Sequence, residues 1–183
     1  MSESAIHEYA RAKSFHRQTL ERWLGWEPAD RDALKEIAVS LKIGENHLRD
    51  MMEWLEEISL RDRVEISKIL AGDAVVALKT DPRLGRADRL KRIKEHLRRL
   101  RFPRLAAIED QIREKIWALK LPAEIRLSVP PGLEGGRLQV EYSAANLAEL
   151  RSFADRLRVA AASPLMTEIF TLLAGQPAIE DRG

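Results

Sequence analysis

Apolar side chains recur along most of this chain at about every 3.6 residues, but between residues 124 and 142 the interval drops to two. Ile125, Leu127 and Val129 alternate with Glu124, Arg126 and Ser128. After the breaker-rich run Pro130-Pro131-Gly132-Leu133-Glu134-Gly135-Gly136 the alternation resumes with Leu138, Val140 and Tyr142. This pattern specifies two antiparallel strands joined by a loop. The segments 125–129 and 138–142 are expected to pair, with Leu127, Leu138 and Val140 on the covered face. Two strands alone are marginal in water, so helices, a third strand or a partner chain must cover that face. The fold class that follows is mainly α with one β-hairpin (α+β), in two helical lobes of which the second carries the hairpin.

The remaining segments read as helices. Residues 3–24 carry Ile6, Tyr9, Ala10, Leu20, Trp23 and Leu24 on one stripe, ended by Gly25 and Pro28. Asp30 is the expected N-cap of a helix bearing Leu34, Ile37, Ala38 and Leu41. After Lys42-Ile43-Gly44 a further helix carries Leu48, Met51, Met52, Leu55 and Ile58, and a shorter one carries Ile66, Ile69 and Leu70. Gly72, Asp81-Pro82 and Gly85 mark 73–86 as a linker between lobes, with Ala74 to Leu78 open to helix or strand. The second lobe, 87–176, is expected to hold a helix with the stripe Ala87, Leu90, Ile93, Leu97 and Leu100, then one with Leu105, Ile108, Ile112, Ile116 and Leu119. The hairpin follows, then two helices begun by Asn146 and by Ser163-Pro164. Residues 177–183 read as a tail.

Charge is unevenly distributed. The formal total is +2, yet residues 83–104 hold ten Lys or Arg against Asp88 and Glu95. The lobe 1–72 is acidic: its 27–66 stretch has eleven acids and six bases. Clustered cations on one helix face can neutralise a run of phosphates, so Lys91, Arg92, Arg98, Arg99, Arg101 and Arg104 are the candidate nucleic-acid contacts. Two other readings of the same helix are a solvated face stitched by (i, i+4) pairs and an interface docked on the acidic lobe.

Residues 36–49, Glu36-Ile37-Ala38-Val39-Ser40-Leu41-Lys42-Ile43-Gly44-Glu45-Asn46-His47-Leu48-Arg49, resemble a helix-turn-helix motif. Ala38 stands where the two helices approach, and Ile37, Leu41, Ile43 and Leu48 form the shared core. The resemblance implies that Asn46, His47 and Arg49, followed by Asp50, begin a recognition helix whose first turn reaches base edges in the major groove. Lys42 occupies the position where such turns usually carry glycine. The segment 45–57 also holds five acids against Arg49 alone, which repels phosphates.

Catalytic signatures are missing from the sequence. There are no cysteines, which excludes disulfides, thiol nucleophiles and thiolate metal sites. His7, His16, His47 and His96 are dispersed, and H-E-x-x-H, G-x-S-x-G and GK[ST] patterns do not occur. His47, Asp50 and Glu53 share one helix and offer at most weak metal ligands. No apolar run approaches the ~20 residues needed to span a bilayer, and the polar N-terminal residues lack the apolar core of a secretory signal. The sequence therefore predicts a cytoplasmic, non-enzymatic protein without cofactor or metal. Its expected partner is nucleic acid, DNA more than RNA, in a regulatory or genome-maintenance role. A protein-binding adaptor and a small enzyme with a site outside known motifs are the alternatives.

Overall fold

A computed structural model describes residues 2–175. It is mainly α-helical with one two-stranded antiparallel sheet. The expected tail at 177–183 lies outside the described residues. The chain divides into two compact units, residues 1–103 and 104–183.

The first unit holds α1 (Ser2–Ala12), α2 (Arg17–Leu24), α3 (Pro28–Leu41), α4 (Glu45–Asp62), α5 (Ile66–Leu70), α6 (Asp73–Thr80) and α7 (Arg86–Arg101). The single helix expected over 3–24 is two. Ser14 takes a left-handed conformation at φ 56°, and the Phe15 N–H donates back to the Ala10 carbonyl at 2.9 Å. The bend lets Phe15 pack edge-on against Tyr9, with ring centroids 5.8 Å apart. Asp30 does not cap α3, which starts at Pro28 after Glu27; its carboxylate instead accepts the Ser67 N–H at 2.7 Å, next to the start of α5.

The linker expected at 73–86 is mostly the helix α6, anchored by Val75, which is 1% exposed. The basic helix α7 belongs to the first unit and not to the second. Its Ile93 and Leu97 are fully buried in one core with Leu34, Leu41, Leu48, Met51 and Leu55, while Leu90 and Leu100 pack half-buried at its margin. Gly85 and Asp81-Pro82 make a tight turn rather than a domain boundary, because the apolar stripe beyond them completes the core before them.

The second unit holds α8 (Pro103–Ala118), which begins at the boundary, then β1 (Ile125–Ser128), β2 (Gln139–Tyr142), α9 (Leu147–Ala161) and α10 (Pro164–Leu173). The strands pair Ile125 with Tyr142 and Leu127 with Val140, and Arg126 with Glu141 and Ser128 with Gln139. Opposed residues share a face, so one face is apolar and the other polar. Between the strands, Pro131–Gly136 forms a turn in which Gly132 and Gly135 sit at φ 74°, a conformation that costs a residue with a Cβ. The core joins Ile112 of α8 to Leu127 and to Met166, Ile169, Leu172 and Leu173 of α10. The caps read from the sequence are present: the Asn146 side chain accepts from the Glu149 N–H at 2.9 Å, and Ser163 Oγ accepts from the Leu165 N–H at 3.3 Å. Coverage of the hairpin is uneven. Leu127 is buried and Leu138 half-buried, but Val140 stays 45% exposed, against expectation.

Replacing Leu97 by Ala removes a buried side chain from the core that α7 completes. Urea unfolding should show a loss of about 2–5 kcal/mol. The same change at Leu60, which is 84% exposed, should cost less than ~0.5 kcal/mol.

Candidate nucleic-acid interface

The connection from α3 to α4 is three residues long, Lys42 to Gly44. Lys42 is left-handed at φ 52° and ψ 46°, which costs a non-glycine residue on the order of 1 kcal/mol. The turn is held from outside. Ile43 is fully buried and donates its N–H to the Ala38 carbonyl at 2.9 Å. The Tyr9 hydroxyl shares its proton between the carbonyls of Ala38 and Ile43, at 2.7 and 2.8 Å. Lys13 Nζ donates to the Lys42 carbonyl at 3.2 Å. Ala38 and Leu48 are fully buried, so α3 and α4 meet as the motif requires. Asn46, His47 and Arg49 all project from the first turn of α4 into solvent.

The five acids of residues 45–57 on α4 are all engaged. Glu45 accepts from the His16 N–H at 2.9 Å, from Thr19 Oγ at 2.5 Å and from the His16 ring at 2.7 Å. The Thr19 hydroxyl above all, with His16, lowers its pKa against a desolvation cost. Asp50 pairs with Lys94 at 2.7 Å. Glu53 and Glu57 share Arg101, at 3.0 and 2.5 Å. Glu56 accepts from Arg22 at 2.5 Å and from Trp26 Nε1 at 2.8 Å. Burial raises the Glu56 pKa, but the Arg22 and Trp26 hydrogen bonds more than offset that and leave it below the ordinary value.

The same pairs change the reading of α7. Of the cations expected to meet phosphates, Arg101 is half-buried on Glu53 and Glu57, and Arg98 is half-buried on Glu95 at 2.8 Å. Arg99 is also half-buried, beside His96, whose pKa is lowered by burial first and by Arg99 second. Lys91, Arg92 and, on α8, Arg104 are exposed. The basic helix thus docks on the acidic helix, and its solvent-facing charge is concentrated toward its N-terminal half.

Two shallow cavities flank the first turn of α4. One, of about 460 Å³, is lined by Arg49 together with His16, Arg17 and Arg22. The other, of about 530 Å³, joins His47 to Lys91 and Lys94 over a floor of Trp54, Ala87 and Leu90. Lys94 Nζ lies 3.2 Å from His47 Nδ1 and 5.2 Å from the centre of the Trp54 ring. Cations therefore stand on both sides of Asn46, His47 and Arg49. The sequence reading missed Tyr9, His16, Arg22 and Lys94 as members of this arrangement; they are 29 to 47 residues from their partners, and no local spacing signals such pairs.

Among the described residues no three His, Asp or Glu side chains converge in a way that could hold a metal ion. His47 and Asp50 meet Lys94 instead. No helix among them is long and apolar enough to cross a membrane. Comparison with protein-family models, with curated proteins and with solved structures finds no match.

The turn entering α7 is set by Asp81. Hydrogen bonds from the Arg83 side chain and backbone pull its pKa down to about 2. A depressed carboxyl pKa adds stability that is present above the unfolded value of ~3.9 and is lost as pH falls through the folded one. Carboxyl-carbon NMR titration should find the Asp81 midpoint near about 2, and Arg83→Ala should return it toward the ordinary range.

Proposed function

We propose that this chain is a non-enzymatic nucleic-acid-binding protein that reads duplex DNA with the first turn of α4. The observation that carries the reading is the exposure of Asn46, His47 and Arg49 on a turn-helix whose acids are each held by a neighbouring side chain. Paired carboxylates oppose phosphates less than free ones, which removes the main electrostatic objection to docking here. Asn and Arg are the side chains suited to bidentate contact with adenine and guanine edges. Lys91 and Arg92 supply phosphate contacts that position the helix without specifying sequence. DNA is preferred over RNA because the B-form major groove admits a helix, and the deep, narrow A-form groove does not. A regulatory or genome-maintenance role fits a reader of DNA without its own catalytic constellation.

A protein-binding role is favoured by a separate observation. Trp117 is 80% exposed on the second unit, and Val159, Leu147 and Phe170 are 66%, 59% and 50% exposed. A partner chain that covered these side chains would remove their apolar area from water.

Mobility-shift titrations across a salt series test the DNA reading. Phosphate contacts from Lys91 and Arg92 give a log–log slope of about −2. Lys91→Glu with Arg92→Glu should weaken binding to all sequences about equally, while Asn46→Ala should cost about 1–3 kcal/mol on the preferred site and little elsewhere. Binding absent at low salt, or unchanged in both variants, overturns the proposal.

A further inference from the structure

The hairpin of the second unit is incomplete as a sheet. Among the described residues no further strand lies on the outer edge of β2. All four residues of β2 are exposed, and the apolar face that buries Ile125 and Leu127 leaves Val140 and Tyr142 at 45% and 40% exposure. Next to them the apolar stripe of α9 begins in solvent, with Leu147 59% and Leu150 41% exposed. Further along α9, Phe153 packs against Tyr142, with ring centroids 5.9 Å apart. An open edge beside an open apolar face is a template for strand addition.

The sequence of this edge is complementary to itself. Arg137 has extended backbone at φ −112° and ψ 139°, so strand geometry is already present just before β2. Over 137–142 the side chains alternate, with Arg137, Gln139 and Glu141 on the polar side and Leu138, Val140 and Tyr142 on the apolar side. In an antiparallel pairing of two copies, opposed residues must share a face, so the two-fold axis has to pass through a residue and not between residues. An axis at Glu141 sets two carboxylates against each other. An axis at Val140 leaves Arg137 facing Ser143. An axis at Gln139 sets Arg137 against Glu141 twice and Leu138 against Val140 twice. These are the only charged residues of the edge, and this register neutralises both.

We infer that β2 pairs with β2 of a second copy of this chain about a two-fold axis at Gln139, closing a four-stranded antiparallel sheet. The pairing satisfies the open edge, removes Val140 from water and joins the apolar faces of two hairpins. The contact is isologous, so the same β2 edge is used on both copies.

The absence of cysteine in the chain makes the register directly measurable. Opposed Cα atoms in an antiparallel pair lie about 4.5–5.5 Å apart, inside the range a disulfide spans. Gln139→Cys faces itself across the axis and should cross-link to a covalent dimer under mild oxidation. Glu141→Cys puts the two thiols about four residues apart along the strands, more than ~13 Å, and should not. Sedimentation equilibrium of the full chain should give twice the chain mass. Val140→Lys should raise the dimer dissociation constant at least ~10-fold without changing the far-ultraviolet circular dichroism. A monomer at all concentrations, a dimer indifferent to Val140→Lys, or Glu141→Cys cross-linking as readily as Gln139→Cys would overturn the inference. Should Val140→Lys disturb folding, the two cysteine variants, each a change at an exposed position, carry the test alone.

Discussion

The docking of α7 on α4 is the contact on which the first unit depends. Ile93 and Leu97 of one helix and Leu48, Met51 and Leu55 of the other are all fully buried in the same core. Above that seam, Asp50 meets Lys94, and Glu53 and Glu57 meet Arg101. The two kinds of interaction differ in weight. A fully buried Leu or Ile contributes about 1.5–3 kcal/mol by leaving water, whereas ion pairs this exposed contribute about 0–1 kcal/mol each. Apolar burial therefore supplies the stability of the seam. The ion pairs lie along its rim, Lys94 on Asp50 and Arg101 on Glu53 and Glu57.

That arrangement redistributes charge across the unit. Ten basic residues between 83 and 104 look like a polyanion site when the segment is considered alone. Once α7 is seated, Lys94 and Arg101 serve α4, and Arg98 serves Glu95. Meanwhile the acids of α4 cease to be free. The exposed side chains of the first turn of α4 are flanked by Lys91 on one side and, on the other, by Arg17 and Arg22, which pair with Glu21 and Glu56. A helix whose local sequence carries a net negative charge thereby stands in an environment compatible with phosphate.

Much of this architecture is legible in the residues. Period-two alternation fixes the hairpin and the parity of its faces, and Asn146 and Ser163 cap the helices they precede because their side-chain oxygens reach free N–H groups. The exposure of Asn46, His47 and Arg49 also follows from the stripe of Leu48, Met51 and Met52, which turns the other positions of α4 outward. What local reading cannot reach is the choice among distant partners. Asp30 is as good an N-cap as any, yet it bonds Ser67, 37 residues away. Ser14 breaks a helix with no glycine or proline at the break, because Phe15 gains a ring contact with Tyr9. A helical wheel places Arg98 on the polar face of α7 and Arg101 just beyond it, but does not show that α7 lies beside the acids of α4. Alternation likewise identifies the apolar face of β2 without showing that Val140 stays 45% exposed among the described residues of its own unit.

In the proposed binding mode DNA meets α4 and the N-terminal half of α7, and not the ion-paired C-terminal half. Backbone amide shifts of the isotope-labelled chain, followed during titration with a short DNA duplex, test it most directly. That mode predicts shift changes concentrated at residues 44–49 and at Lys91 and Arg92, with the amides of 98–101 little moved. Changes concentrated at 98–104 while 44–49 stay still, or no change at any amide, would contradict it.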